Sequence, residues 1–143
     1  MKKILLITTF LFQTIVSAGV SDWSIVNIKG DFWLKKKDSK TLKAKITKRT
    51  GKSKVTETKS VGDNYELIIY YAGSAGTFQL IDIYYAVIFD KKKNQFIGDY
   101  PWEYKAQEGS KKVDNPKWDI SKKVIKINDP QTDLKKTIQL RSN

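Results

Sequence analysis

In residues 65–89, YELIIYYAGSAGTFQLIDIYYAVIF, the side chains sort with a period of two. Tyr65, Leu67, Ile69 and Tyr71 alternate with Glu66, Ile68 and Tyr70, which is the repeat of a β-strand and not of a helix. Turn formers bound this run, with Gly62-Asp63-Asn64 before it and Gly73-Ser74-Ala75-Gly76 after it, so the segment reads as a hairpin of two long strands. The returning strand, residues 77–89, puts Gln79, Ile81, Ile83, Tyr85, Val87 and Phe89 on one face. Phe78, Leu80, Asp82, Tyr84, Ala86 and Ile88 take the other. Both faces are largely apolar, so this strand is expected to be central and covered on two sides.

Working outward, Asp90-Lys91-Lys92-Lys93-Asn94 reads as a turn that returns the chain through Gln95-Phe96-Ile97 to Gly98-Asp99. A last hairpin is expected from residues 124–127, the turn Asn128-Asp129-Pro130-Gln131, and residues 137–140; residues 132–140 are the one stretch where a helix competes. Upstream, residues 23–29, 32–34 and 42–46 are short strand candidates separated by Gly30 and Asp38-Ser39. Residues 50–60 are polar with Val55 as their only large apolar side chain, giving either an edge hairpin or a mobile loop. Short strands with turn signals between them imply an all-β fold, an antiparallel β-sandwich or a barrel-like meander. No internal repeat or linker composition divides the chain.

The first eighteen residues are set apart from that domain. Met1, Lys2 and Lys3 form a basic start, Ile4 to Ile15 a short apolar run, and Val16-Ser17-Ala18 a small-residue cleavage site, the three parts of a secretory signal peptide. The run is broken by Thr8, Thr9, Gln13 and Thr14, short of the about 20 apolar residues a membrane span needs. The expected product is a single β domain, residues 19–143, with no transmembrane segment, located in the periplasm or outside the cell. A chain without Cys would hold itself together there through its core.

With 27 Lys and Arg against 15 Asp and Glu the chain carries +12, and losing Lys2 and Lys3 leaves +10. All the basic residues but Arg49 and Arg141 are Lys, which lacks the bidentate fork that reads bases and phosphates, so nucleic acid is not expected as a partner. Anionic polymers of the cell envelope fit an exported basic protein better. The runs Lys35-Lys36-Lys37, Lys91-Lys92-Lys93, Lys111-Lys112 and Lys122-Lys123 are spread along the chain, as in a solvated face. Among them Lys91, Lys92 and Lys93 are the candidate anion contact, lying between two aromatic-rich strands.

Composition closes most catalytic routes. The chain has no His and no Cys, no Ser is followed three residues later by Lys, and no Asp-x-Asp-x-Asp-Gly loop occurs. No catalytic residue, metal site or cofactor is assigned. Paired carboxylates remain, since a glycosidase needs only two acids in one cleft, and Glu66, Asp82, Asp99 and Glu103 are available. Asp82 is the most unusual, mid-strand among apolar residues, where burial would raise its pKa. The simpler expectation is that it faces solvent or pairs with a Lys on the next strand.

The run from Glu66 to Phe78, then Leu80-Ile81-Asp82-Ile83-Tyr84, joins a strand, a small-residue loop ending on an aromatic, and a strand with an Asp-apolar-Tyr pattern. Over these roughly twenty residues the chain resembles the periplasmic lysozyme inhibitors, in particular those directed at invertebrate-type lysozyme. In that family a loop of the outline Ser-Gly-x-x-Tyr enters the active-site cleft of the lysozyme. The resemblance implies an inserted loop of Gly73, Ser74, Ala75, Gly76, Thr77 and Phe78, with Ser74 as polar contact and Phe78 where the family has Tyr. It implies a non-enzymatic binding protein whose partner is a lysozyme-like enzyme. Read without the resemblance, the same residues make a plain hairpin turn.

Aromatic residues supply a further candidate surface. Phe96, Tyr100, Trp102 and Tyr104 fall within nine residues, and Tyr70, Tyr71, Tyr84 and Tyr85 lie on adjacent expected strands. Tyr84, Phe96, Tyr100, Trp102 and Tyr104 would form one ring surface able to stack on polysaccharide or peptidoglycan, unless they are core.

Overall fold

The computed structural model describes residues 21–47 and 52–141, so residues 1–18, read as a signal peptide, lie outside the described residues. Among the described residues there are ten strands and no helix: β1 (Trp23–Ile28), β2 (Asp31–Lys36), β3 (Lys43–Lys45), β4 (Lys54–Val61), β5 (Tyr65–Ala75), β6 (Ile81–Asp90), β7 (Gln95–Ala106), β8 (Lys117–Ile120), β9 (Val124–Asp129) and β10 (Leu134–Gln139). They form three antiparallel sheets, ordered β1-β2-β3, β4-β5-β6-β7 and β8-β9-β10. None closes into a barrel, so of the two expected architectures the packed sheets are the one found.

The four-stranded sheet is the centre. Ile68 and Tyr70 of β5 and Ile83, Val87 and Phe89 of β6 point to one side, where they pack with Trp23, Phe32, Leu34 and Ile46 from the first sheet region. Tyr65 and Leu67 of β5 and Ile88 of β6 point to the other and meet Ile125, Ile127, Ile138 and Leu140 from the third. The two-sided apolar pattern of residues 81–89 is thus satisfied by two separate cores. We call the side packed on β1-β2-β3 face A and the side packed on β8-β9-β10 face B.

Four irregularities adjust this pattern. Residues 73–75, read as a turn, continue β5 and pair with Ile83, Asp82 and Ile81; the turn proper is 76–80, and β6 begins at Ile81 instead of residue 77. Residues 54–61 are an edge strand, not a mobile loop. β7 continues twelve residues through Gly98 and Pro101, where only a short return to Asp99 was expected. The four-residue β8, KWDI, has too little apolar content to announce itself. Gly98 has a steric reason to be glycine, because a Cβ there would overlap the Tyr100 ring that lies across it.

Polar groups tie the layers. The Trp23 indole donates to Glu66 at 3.1 Å, and the Trp118 indole donates to the Pro101 carbonyl at 2.8 Å. Asp129, fully buried at the end of β9, accepts from the Tyr104 hydroxyl at 2.7 Å, Thr132 Oγ1 at 2.6 Å and the Gln131 amide at 3.0 Å. The Tyr104 bond crosses from the central sheet to the third. Replacing Tyr104 with Phe should cost about 1–3 kcal/mol, because a buried carboxylate oxygen loses a donor. Urea denaturation followed by tryptophan fluorescence measures this; an unchanged midpoint would mean that the bond ties nothing.

Candidate binding surface

The hairpin joining β5 to β6 is shaped by one extra residue. Tyr71 pairs with Tyr84 and Gly73 with Ile83, leaving Ala72 as a bulge in β5. The bulge inverts the alternation: Tyr71 points to face B, and Ser74, which an unbroken strand would send to face A, joins it there. Beyond Ala75 the chain turns at Gly76 (φ 102°), where any Cβ would overlap the Gln79 carbonyl oxygen. Thr77 and Phe78 then project, and the Phe78 ring is fully exposed.

The tip is held from outside the hairpin. Gln79 Nε2 donates to the Lys111 carbonyl at 2.9 Å, the Leu80 amide donates to Ser110 Oγ at 3.2 Å, and the Gln107 amide donates to the Leu80 carbonyl at 2.9 Å. Residues 107–111 had no local signal of this role, since the bonds span up to 32 residues of sequence. Beside the turn a hollow of about 200 Å³ is lined by Ala75, Gly76, Ile81, Ile83, Tyr104 and Val113, with Gln131 and Thr132 at its polar side. Of the six expected loop residues, Gly73 is buried, Ser74 and Ala75 are half-buried strand residues, and only Gly76, Thr77 and Phe78 are at the exposed end.

Ser74 is engaged inside the protein. Its hydroxyl donates to Asp82 Oδ1 at 2.7 Å; Gln107 Nε2 donates to the same oxygen at 2.9 Å, and the Tyr71 hydroxyl donates to it at 3.3 Å. The Ser74 and Gln107 hydrogen bonds are the main reason the Asp82 carboxyl is held below the usual carboxylate range, and Lys105, its partner across β6–β7, adds to it. This corrects the expectation of a raised pKa. Asp82 stays ionised, the reverse of what a general acid needs. Glu66 lies on face A against Trp23, while Glu103 shares face B with Asp82 and pairs with Lys105 at 3.5 Å. Among the described residues no group of three or more Asp and Glu is arranged to hold a metal ion.

The five aromatics do not form one surface. β7 carries two bulges, at Ile97 and at Trp102, and each inverts the alternation. Phe96 therefore packs into face A with Phe89 and Trp23, Tyr100 and Trp102 turn to face B, and Tyr104 returns to face A. Tyr84 lies on face B beside Tyr71, ring centroids 5.5 Å apart, with Lys105 Nζ 4.9 Å over its ring. Trp102 is covered by Trp118 at 5.0 Å and by Lys59 at 5.0 Å. Lys91, Lys92 and Lys93 are exposed in the β6–β7 turn, at the opposite end of β6 from the 76–80 turn. Ten residues at about 3.3 Å each separate the two ends by roughly 30 Å.

No family model, curated protein or solved structure matches the chain. Among the described residues no helix is long and apolar enough to cross a membrane.

A second polar cluster sits on face A. Asp99 Oδ2 accepts from the Tyr70 hydroxyl at 2.7 Å and the Thr47 amide at 3.0 Å, while Oδ1 is sealed from solvent with no hydrogen-bond partner among the described residues. Burial outweighs the hydrogen bonds from Thr47 and Tyr70 and pushes the Asp99 carboxyl up to about 6. A folded value above the unfolded one, about 3.9, means the protonated acid favours the fold. That contribution is complete below about pH 4 and disappears as pH rises through 6, a change on the order of 3 kcal/mol. Relative to Asp99→Asn, which keeps an acceptor without the charge, the wild-type protein should lose stability between pH 4 and pH 6.5 and run parallel above pH 7. Urea midpoints across that range test it, and parallel curves throughout would refute it.

Proposed function

We propose that this is a non-enzymatic binding protein that engages a partner protein through the β5–β6 hairpin end, the Phe78 ring entering a cleft. The observation that carries this reading is a large apolar side chain left fully exposed at the tip of a hairpin that three hydrogen bonds from residues 107–111 hold in place. Exposing a phenylalanine gains nothing for the fold, and bracing its loop lowers the entropy lost when the ring is buried by a partner. The hollow beside the tip offers a second apolar contact for a side chain of that partner.

In its most specific form the partner is a lysozyme-like enzyme, met in the periplasm or outside the cell after export. The chain's net charge would repel a basic lysozyme at long range. Locally the balance differs: a glycosidase cleft carries two carboxylates, and the segment bracing the tip brings Lys111 beside Gln79, with Lys112 next to it in sequence. Ser74, bound to Asp82, positions the hairpin and does not serve as the contact itself. A polysaccharide-binding role has less support, because the rings that would stack on sugar are divided between two faces.

The test is lysis of cell walls by an invertebrate-type lysozyme, with other lysozyme classes in parallel. The protein should slow lysis, and Phe78→Ser should weaken the effect at least tenfold with an unchanged melting temperature, since a fully exposed ring contributes nothing to the core. Absence of inhibition across all classes would discard the lysozyme partner. Release of sugar by the protein alone, abolished in Asp82→Asn, would replace binding with catalysis.

A further inference from the structure

The outward side of the third sheet concentrates lysines that are scattered in sequence. Its register places Lys117 of β8, Asn128 of β9 and Lys135 of β10 in one row, and Asp119, Lys126 and Thr137 in the next. The alternate residues Trp118, Ile125, Ile127 and Ile138 face the core, so these six side chains face solvent, and all six are exposed. Lys117, Lys126, Lys135 and Lys136 line a shallow depression of about 280 Å³. None of the three ion pairs found among the described residues involves them. Asp119 is the single carboxylate in those two rows, and Lys122 and Lys123 extend the positive charge into the β8–β9 turn.

We infer that this face docks on the surface of an anionic phospholipid bilayer. Strand pairing spaces neighbours within a row by about 4.8 Å and the two rows lie about 6.7 Å apart along the strands, so the ammonium groups stand over a shallow, open sheet instead of a deep cleft. The two rows contain Lys and no Arg; ammonium groups act as point charges, suited to the diffuse potential of a charged plane and poor at the bidentate contacts that select one anion. Each lysine near such a surface strengthens attachment about fivefold, so three acting together contribute about a hundredfold. The interaction is electrostatic and fades as salt shortens the Debye length from about 10 Å at 0.1 M to about 3 Å at 1 M. It stands on different residues from the hairpin tip and does not depend on the partner proposed for it.

The experiment is co-sedimentation of residues 19–143 with vesicles of phosphatidylglycerol and phosphatidylethanolamine, or of phosphatidylcholine alone, at 0.1 M and 1 M NaCl. Two triple variants remove equal charge: Lys117→Gln/Lys126→Gln/Lys135→Gln on the sheet and Lys91→Gln/Lys92→Gln/Lys93→Gln in the distant turn. The expected result is retention on anionic vesicles at 0.1 M only. The sheet variant should bind about a hundredfold more weakly and the turn variant within a few fold of wild type, with circular dichroism showing both folded. Equal losses in the two variants would mean that net charge alone acts. That outcome, equal retention on phosphatidylcholine, or binding to soluble polyphosphate with none to vesicles, overturns the inference.

Discussion

A strand that is apolar on both sides cannot be left with either side in water, and in this protein that strand is β6. Ile83, Val87 and Phe89 on one face and Ala86 and Ile88 on the other are all buried, which a single sheet packed on one partner could not achieve. Burial at about 25 cal/mol per Å² of apolar surface makes covering both faces worth several kcal/mol. The three-stranded sheets before and after the central one supply the two covers, and the apolar side chains of each pack against the central sheet. The order of the chain follows: a first cover, the central sheet as a meander of hairpins, and a second cover.

Within that plan the bulges decide what each side chain does. An antiparallel strand sends alternate residues to opposite faces, and one extra residue inverts every position after it. The bulge at Ala72 brings Ser74 onto the side of Tyr71 and Asp82, and the network that results, with Gln107 donating from beyond β7, fixes the base of the hairpin. The bulge at Trp102 sends Tyr104 to the opposite side from Tyr100, where it closes one core and reaches Asp129 in the third sheet. Both are placed where a regular strand would put the wrong side chain forward.

The lysines have two physical roles. Lys36, Lys43, Lys59 and Lys105 lay their ammonium groups over Trp23, Trp33, Trp102 and Tyr84, so their aliphatic stems screen aromatic surface at the margins of the cores. Those on the outward side of β8-β9-β10 cover no ring in that way and carry the charge of that face.

Alternation and turn chemistry alone determined that the protein is all-β, that residues 65–89 form its central hairpin, and that β6 has two covered faces, because these depend on neighbours along the chain. The same local signals placed a turn after residue 72 and marked Asp82 as unusual, but they set that turn at Gly73 to Gly76, three to four residues short of where the chain reverses. Tertiary structure decided the rest. The five aromatics Tyr84, Phe96, Tyr100, Trp102 and Tyr104 looked like one surface because four of them fall within nine residues and Tyr84 lies on the neighbouring expected strand, and two bulges without a sequence signature divide them. Lys91 to Lys93 looked adjacent to that surface, yet a ten-residue strand carries the turn to the far end of the sheet from the exposed tip. Lys117, Lys126 and Lys135 are nine residues apart in sequence and become neighbours only through pairing across β8, β9 and β10. Asp99 was visible as a carboxylate, but its burial depends on Thr47 and Tyr70, brought from 52 and 29 residues away. Periodicity reports which way a side chain points; which side chains then meet is fixed by register and packing, to which residues distant in sequence contribute as much as near ones.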